Sequence, residues 1–216
     1  MADQIDIAAC DALLTTTRSV RRRLDFERAV PDELIKDCIN IALQAPSQTN
    51  TQQWHFIVIT DAVLREKIGS IYQSTFDTYW AESSEKESGG IDDYSDGDQR
   101  MIDSALYLRE HFHKAPVHVL FCATGDLVEM PLFEQASAYG SIMPAAWSFM
   151  LAARARGLGT CWTSVHLKAA KAVGDILRLP DNLTQAVLMP VAFYSGTGFC
   201  EASRMPLDEV VHWNGW

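Results

Sequence analysis

Seven consecutive uncharged polar side chains follow Pro46: Ser47, Gln48, Thr49, Asn50, Thr51, Gln52 and Gln53. Pro46 cannot continue a helix, and the aromatic and β-branched residues 54–60 are typical of a strand, so the polar run is predicted to be a loop between the two. Such a loop can hydrogen-bond the polar edge of an uncharged ring or a polyol. The alternative is a solvated connection whose serine and asparagine close a turn.

Four arginines within six residues, Arg18, Arg21, Arg22 and Arg23, stand in a chain whose formal net charge is −10. Planar guanidinium groups can clamp a phosphate bidentately. The alternative is a solvated charge run that pairs with nearby carboxylates. Arg204, near the other end of the sequence, is either a surface charge or a second basic site of the same phosphate clamp.

A third segment, residues 157–164, follows a long helical pattern at 132–156. Gly157 is well placed to cap that helix, and a short strand and turn with Trp162, Thr163 and Ser164 should follow. On its own, this segment is also compatible with an ordinary buried strand.

Several common chemistries are excluded, because the sequence has no H-E-x-x-H, G-x-S-x-G, P-loop or full G-x-G-x-x-G motif. The five cysteines are odd in number and widely spaced, which favours neither a disulfide framework nor a zinc site. His111 and His113 lie two apart on a predicted helix, which is poor chelating geometry, so no metal is expected. His55 is more typical of a hydrogen-bonded structural histidine than of an acid.

Composition predicts one domain spanning residues 1–216. The acidic balance, with a pI near 5.0, argues against binding to a nucleic-acid backbone. The sequence shows neither a leader-like segment nor an apolar run long enough for a membrane span, so we expect a cytoplasmic protein that does not bind membranes.

The hydrophobic pattern predicts an α+β fold. The long helix at 132–156 is apolar on more than one side, which predicts a central or dimer-interface helix. Helices are predicted at 6–14, 31–44, 62–72, 101–115, 132–156 and 168–179, and strands at 54–60, 117–123 and 186–194.

An acidic run at 82–98 contains seven carboxylates and one lysine. Together with the aromatic residues Phe76, Tyr79 and Trp80, it predicts a mobile lid segment around 74–100 that closes over a planar substrate. The alternative is a helix end that packs its aromatic side chains on the core.

Three segments, in order, resemble the nitroreductase family. Residues 45–56 match Ala-Pro-Ser-x-x-Asn-x-Gln-Pro-Trp-x-Phe, except that Gln53 replaces the second proline. The arginine cluster matches Arg-Arg-Ser-x-Arg, with Thr17 in place of the first arginine. Residues 204–211 match a terminal Arg-x-Pro-Leu-x-Glu-Val-Val segment.

This resemblance implies a three-layer sandwich, with a central, mostly antiparallel sheet flanked by helices, in an intertwined homodimer. It also implies FMN sites at the subunit interface, where the 45–52 loop serves the flavin bound mainly by the partner. The cofactor-binding residues implied are Arg18, Ser19, Arg21, Pro46, Ser47, Gln48, Asn50, Gln52, Trp162, Thr163, Ser164 and Arg204.

The implied function is an FMN-dependent oxidoreductase in which the flavin carries the chemistry and no side chain is assigned as catalytic. Hydride would pass from NAD(P)H to the flavin, and then by a ping-pong mechanism to an electron-poor acceptor. Nitroaromatics, quinones, activated alkenes and halogenated aromatics all remain open as acceptors. A flavin store or sensor without productive NAD(P)H turnover is the competing hypothesis.

Overall fold

The computed structural model describes residues 5–86 and 96–216. Its helices are α1 (Ile7–Thr16), α2 (Asp32–Ala42), α3 (Ala62–Lys86), α4 (Asp96–His111), α5 (Leu132–Ala155), α6 (Ala170–Leu177) and α7 (Leu207–Val210). Its strands are β1 (Leu24–Asp25), β2 (Trp54–Ile59), β3 (Val117–Thr124), β4 (Leu158–Thr160) and β5 (Leu183–Tyr194). Short 3-10 turns at Gln48–Asn50, Phe112–Lys114 and Val165–Ala169 complete the pattern.

The strands form one antiparallel sheet centred on β3 and β5. β3 pairs with β2 on one side and with β5 on the other. Val191 of β5 pairs with Val117 of β3 and also with Thr160 of β4, so β4 lies on the opposite side of β5 from β3. The predicted α+β fold with a mostly antiparallel sheet is confirmed.

Helices cover both faces of this sheet, which explains why β3 is an almost unbroken apolar run. Val119 and Phe121 pack in a core with residues of α2 and α5. Leu120 and Cys122, which point the other way, pack in a second core with residues of α3, α4 and α6. The alternation of neighbouring side chains between two cores gives the predicted three layers.

Helix α5 occupies the positions predicted for the long apolar helix. Ala146, Phe149 and Ala153 are fully buried, which fits a central helix. Its first residues differ, because Leu132 and Phe133 remain 81% and 73% exposed. Gly157 follows α5 with a φ of +77°, a conformation in which glycine costs little, so its predicted capping role is confirmed.

The prediction that helix 62–72 ends near Tyr72 was wrong, because α3 continues to Lys86. The helix continues because Tyr72 and Phe76 keep the helical spacing and are both buried. Tyr72 stacks on Phe112 with ring centroids 4.0 Å apart. Of the predicted lid at 74–100, residues 74–86 are helical and Asp96 begins α4, while residues 87–95 lie outside the described part of the chain.

Two further boundaries differ from prediction. The helix expected at 168–179 is a 3-10 turn at Val165–Ala169 followed by α6, and the strand expected at 186 begins three residues earlier, at Leu183.

His55 of β2 forms a hydrogen bond of 3.2 Å between its Nε2 and Thr124 Oγ1. This contact confirms the prediction of a hydrogen-bonded histidine.

Two histidines are completely buried in their neutral form. His118 Nε2 donates one hydrogen bond to the Phe112 carbonyl at 2.8 Å, whereas neither ring nitrogen of His166 has a partner among the described residues. Burial disfavours the imidazolium and lowers the pKa of each to about 4, from an ordinary value of 6.5.

These histidines predict loss of stability in mild acid. Between pH 6.5 and pH 4 the unfolded chain binds protons that the folded chain does not, so the free energy of unfolding falls as the pH falls. Each histidine should contribute about 2 kcal/mol of this loss between pH 7.5 and pH 5. His166→Leu should remove one such contribution, measured by urea denaturation at both pH values. An unchanged difference between the two pH values would contradict this account.

Candidate functional site

A cavity of about 500 Å³ lies between α3, the middle of α4 and the segment that follows β4. One wall comes from the chain that runs from Cys161 to Lys168, and the facing wall comes from one side of α3. Its lining residues are Arg21, Tyr72, Phe76, Tyr79, Ala105, Cys161, Trp162, Thr163, Ser164, Val165, Leu167 and Lys168.

Backbone pairing brings two of the predicted segments together at this cavity. Ser19 forms a parallel bridge with Thr160, and Val20 N donates to the Thr160 carbonyl at 2.8 Å. Thr163 and Leu188 exchange backbone hydrogen bonds of 3.2 and 3.0 Å. Residues 160–163 are therefore held between the arginine segment and β5, which places Arg21 beside the predicted 162–164 group.

Arg21 gives the cavity a positive, donor-rich end. Its guanidinium is partly buried and donates a long hydrogen bond of 3.3 Å to Ser104 Oγ. It also faces the buried Cys161 thiol, whose pKa is raised by burial and lowered in part by Arg21. Burial likewise raises the pKa of Tyr72, again against the charge of Arg21. Since a guanidinium has five donors, Arg21 keeps donor capacity for a ligand.

The cavity is also aromatic, and its described lining residues carry no negative charge. Phe76 is buried, Trp162 is partly buried and Tyr79 is 48% exposed, so aromatic surface runs from the interior to the mouth. None of the lining residues carries a carboxylate. This arrangement can hold a planar ring system that has an electronegative edge.

The two predicted phosphate ligands do not touch each other. Arg18 donates to the Thr17 carbonyl at 2.9 Å and to the Cys200 carbonyl at 2.7 Å, so the C-terminal tail reaches it. Arg204, four residues further along that tail, is exposed and donates to the Ser203 carbonyl at 2.9 Å. The structure thus brings their segments together without joining their guanidinium groups.

The other two arginines of the cluster have structural partners. Arg23 donates to the carbonyls of Ser195, Thr197 and Gly198 at 2.7, 3.1 and 3.0 Å, and its guanidinium lies 4.2 Å from the Phe199 ring centroid. Arg22 is exposed, with its guanidinium 3.9 Å from the carboxylate of Asp103. Arg22 therefore behaves as a solvated charge that pairs with a nearby carboxylate.

The polar loop after Pro46 lies away from the cavity. Gln48 N donates to Ser141 Oγ of α5 at 3.0 Å, and Gln52 N donates to Ser47 Oγ at 3.2 Å. The loop leads into β2, which is separated from β4 by β3 and β5. Three strand spacings amount to about 14 Å, and none of the loop residues lines the cavity.

Backbone strain is concentrated in this loop. Thr49, Asn50 and Gln52 have φ values of +46°, +57° and +52°. Positive φ is costly for a β-branched residue such as Thr49, and such strain persists where the surrounding structure imposes it. Gln52 Nε2 also donates to Asn50 Oδ1 at 3.2 Å, so the two side chains are oriented together and both are exposed.

The sequence analysis placed Phe76 and Tyr79 in a lid over the substrate, but it did not predict that Tyr72 and the rest of α3 form a wall of the cavity. Tyr72, Phe76 and Tyr79 recur at i, i+4 and i+7, which is the signal that could have found this wall. Lys168 and Cys161 were also not assigned to a site. Among residues 5–86 and 96–216, no group of three or more histidine, cysteine or acidic side chains is arranged to hold a metal ion. In the same residues no helix is long and apolar enough to cross a membrane.

A family model for the Nitroreductase family matches residues 14–193. The chain belongs to this family. It is 30% identical over 198 residues to a 4-nitrobenzoate reductase of Nocardioides sp. (strain LMS-CY), covering 82% of this chain and 77% of that protein. It is 26% identical over 206 residues to an iodotyrosine deiodinase of Hydra vulgaris, covering 89% of this chain and 70% of that protein.

The fold of this nitroreductase-family chain also matches solved structures. Oxidized iodotyrosine deiodinase bound to FMN and 3-iodo-L-tyrosine superposes with a TM-score of 0.69 at 20% identity, covering 93% of this chain and 96% of that one. This similarity confirms the nitroreductase-like fold that the sequence motifs implied.

We expect Thr49→Gly to stabilise the protein by about 1 kcal/mol. Glycine relieves a left-handed conformation that costs on the order of 1–3 kcal/mol, which exceeds its entropic cost of roughly 0.5–1 kcal/mol. Thr51→Gly is the matched control, because Thr51 has an ordinary φ of −75° and donates its hydroxyl to the Gln48 carbonyl. Urea denaturation should show opposite signs for the two variants. Equal destabilisation would show that the loop is unstrained.

Proposed function

We propose that this chain is an FMN-dependent oxidoreductase that transfers two electrons from NAD(P)H to a nitroaromatic, quinone or similar electron-poor acceptor. The observation that carries the proposal is the aromatic cavity with the donor-rich guanidinium of Arg21 at one end. Membership of the Nitroreductase family, a nitrobenzoate-reducing relative and an FMN-bound structural neighbour support it.

The residues around Arg21 fit a flavin. An isoalloxazine ring is planar, has a polar pyrimidine edge and needs donors along that edge. Arg21 supplies a charged donor with spare capacity, and the chain at Trp162 and Ser164 supplies backbone groups and the Ser164 hydroxyl. Thr163 keeps only the lone pairs of its hydroxyl for a ligand, because its backbone groups and its hydroxyl proton are bonded to Leu188. Bound FMN would supply hydride acceptance from NAD(P)H and two-electron transfer to the acceptor, in a ping-pong cycle.

The protein's own contribution in this proposal is electrostatic and steric. Arg21 would stabilise negative charge at the pyrimidine edge, and it does so in a partly buried site where its charge is weakly screened. Phe76 and Tyr79 exclude water from the ring face and leave a planar slot for nicotinamide and acceptor in turn. No side chain needs to act as a nucleophile.

Phosphate binding is proposed for Arg18 and Ser19, with Arg204 reaching in from the C-terminal tail. The supporting observation is that Arg18 already contacts this tail at Cys200, which brings residue 204 into its neighbourhood. Two N–H groups of the Arg18 guanidinium donate to backbone carbonyls, and its remaining N–H groups are available for a phosphate. Arg23 fixes the same tail through three carbonyls, which positions Arg204 indirectly.

A homodimer would explain the separation between the polar loop and the cavity. The loop carries Pro46, Ser47, Gln48, Asn50 and Gln52, is strained and exposed, and lies across the sheet from Arg21. In an intertwined dimer, the loop of one subunit would serve the flavin held mainly by the other. The exposed apolar side chains of Leu132 and Phe133 at the start of α5 are suitable for such an interface.

The first prediction of this proposal concerns reduction of the bound cofactor. The purified protein should show flavin absorbance, and anaerobic NADH or NADPH should bleach it, followed by recovery of the flavin bands with an electron-poor acceptor. Flavin bands that persist with both donors would favour a store or sensor protein. A protein that takes up no FMN would overturn both hypotheses.

The second prediction is that two inactive variants complement each other. Arg18→Ala combined with Arg21→Ala should abolish FMN binding at a subunit's own cavity, and Asn50→Ala combined with Gln52→Ala should damage the partner's site. A mixed population should recover FMN binding at about a quarter of sites, because half of the dimers are mixed and each has one intact site. Size-exclusion chromatography confirms that each variant remains dimeric. No recovery on mixing would place all the ligands within one chain.

A further inference from the structure

A second cation lies at the opposite end of the cavity from Arg21. Lys168 lines the cavity from the 3-10 turn that follows Ser164, and its Nζ lies 2.6 Å from Glu82 Oε2 on α3. Arg21 lies instead near Tyr72 and Cys161, whose pKa values it affects. The two cations therefore mark the two ends of one aromatic slot.

The length of the slot follows from the helix. Tyr72 and Glu82 are ten residues apart on α3, which corresponds to about 15 Å along the helix axis. The facing wall runs in the same direction, from Cys161 beside Tyr72 to Lys168 beside Glu82. Phe76 and Tyr79 lie between these ends, so an aromatic molecule in the slot would have Lys168 near one edge.

The ion pair between Lys168 and Glu82 is easy to exchange. Its side chains are 39% and 48% exposed, and ion pairs of this kind contribute only about 0–1 kcal/mol. An incoming carboxylate can therefore replace Glu82 on the ammonium group at little cost. The contact with Glu82 also shows that Lys168 can bind a carboxylate at this position, because the carboxylate of Glu82 already lies within hydrogen-bond distance of its ammonium group.

We propose that Lys168 is the binding residue for a carboxylate on the acceptor, so that the preferred substrates are aromatic acceptors that carry an acidic group. This inference rests on the proposed function, since it names the substrate class of the same cavity. The ring of the acceptor lies against Phe76 and Tyr79, its carboxylate displaces Glu82 from Lys168, and its reducible group points toward the end that contains Arg21. The described residues that line the cavity include no carboxylate, so once Glu82 is displaced an anion meets no like charge from them.

The test compares 4-nitrobenzoate with the neutral analogue 4-nitrobenzamide on the purified protein. Isothermal titration calorimetry gives the dissociation constants, and steady-state kinetics gives KM and kcat for both compounds. The variants are Lys168→Met and Glu82→Gln. Lys171→Met is the control, because Lys171 pairs with Asp175 on α6, does not line this cavity and changes the net charge equally.

Lys168→Met should weaken binding of 4-nitrobenzoate about tenfold and raise its KM, because one charge-assisted contact is lost. Glu82→Gln should strengthen binding about threefold by removing the competing carboxylate. Binding of 4-nitrobenzamide should change in neither variant, and Lys171→Met should affect neither compound.

Two outcomes separate this inference from the proposed function. If both compounds are reduced but Lys168→Met leaves their selectivity unchanged, the carboxylate site is overturned and the reductase proposal stands. If 4-nitrobenzoate binds in a Lys168-dependent manner but neither compound is reduced, the anion site is supported and the reductase proposal fails.

Discussion

The close approach of the arginine segment to β4 is the constraint on which the candidate site depends. Val20 N donates to the Thr160 carbonyl, and the neighbouring residue of β4, Gly159, has no side chain to crowd this contact. A Cβ on Gly159 would lie 3.0 Å from side-chain atoms of both Val20 and Leu24. Gly159 therefore allows two segments about 140 residues apart in sequence to lie edge to edge, and the cavity opens beside them.

Of the arginines near this contact, Arg23 has a structural role and Arg21 is available to bind a ligand. Arg23 is committed to backbone carbonyls of the tail and to the Phe199 ring, whereas Arg21 retains donors and faces the cavity. Arginines that are neighbours in the sequence thus have different partners and different roles in the structure. Which arginine is free depends on which carbonyls lie within reach, and those belong to residues near the other end of the chain.

Most of the fold could be predicted from sequence because its signals are local. The apolar run of β3, the aromatic start of β2 and the glycine after α5 each depend on residues within a few positions of one another. The meeting of Arg21 with Trp162, Thr163 and Ser164 was also implied, since the family resemblance gave all four as cofactor-binding residues. The length of α3 was not predicted, because no residue near Tyr72 marks a helix end and the burial of Phe76 against the core carries the helix further. Lys168 could not be found from sequence, since its role depends on the distance to Glu82 on another element.

The pairing of distant segments also fixes when the site can form. Arg18 contacts the carbonyl of Cys200, 182 residues away, and Arg23 contacts that of Ser195, 172 residues away. During synthesis the N-terminal arginines emerge long before β4, β5 and the tail that hold them in place. The arginine segment is therefore held in place only after β5 and the tail have left the ribosome, and the proposed FMN would bind only after the sheet has folded.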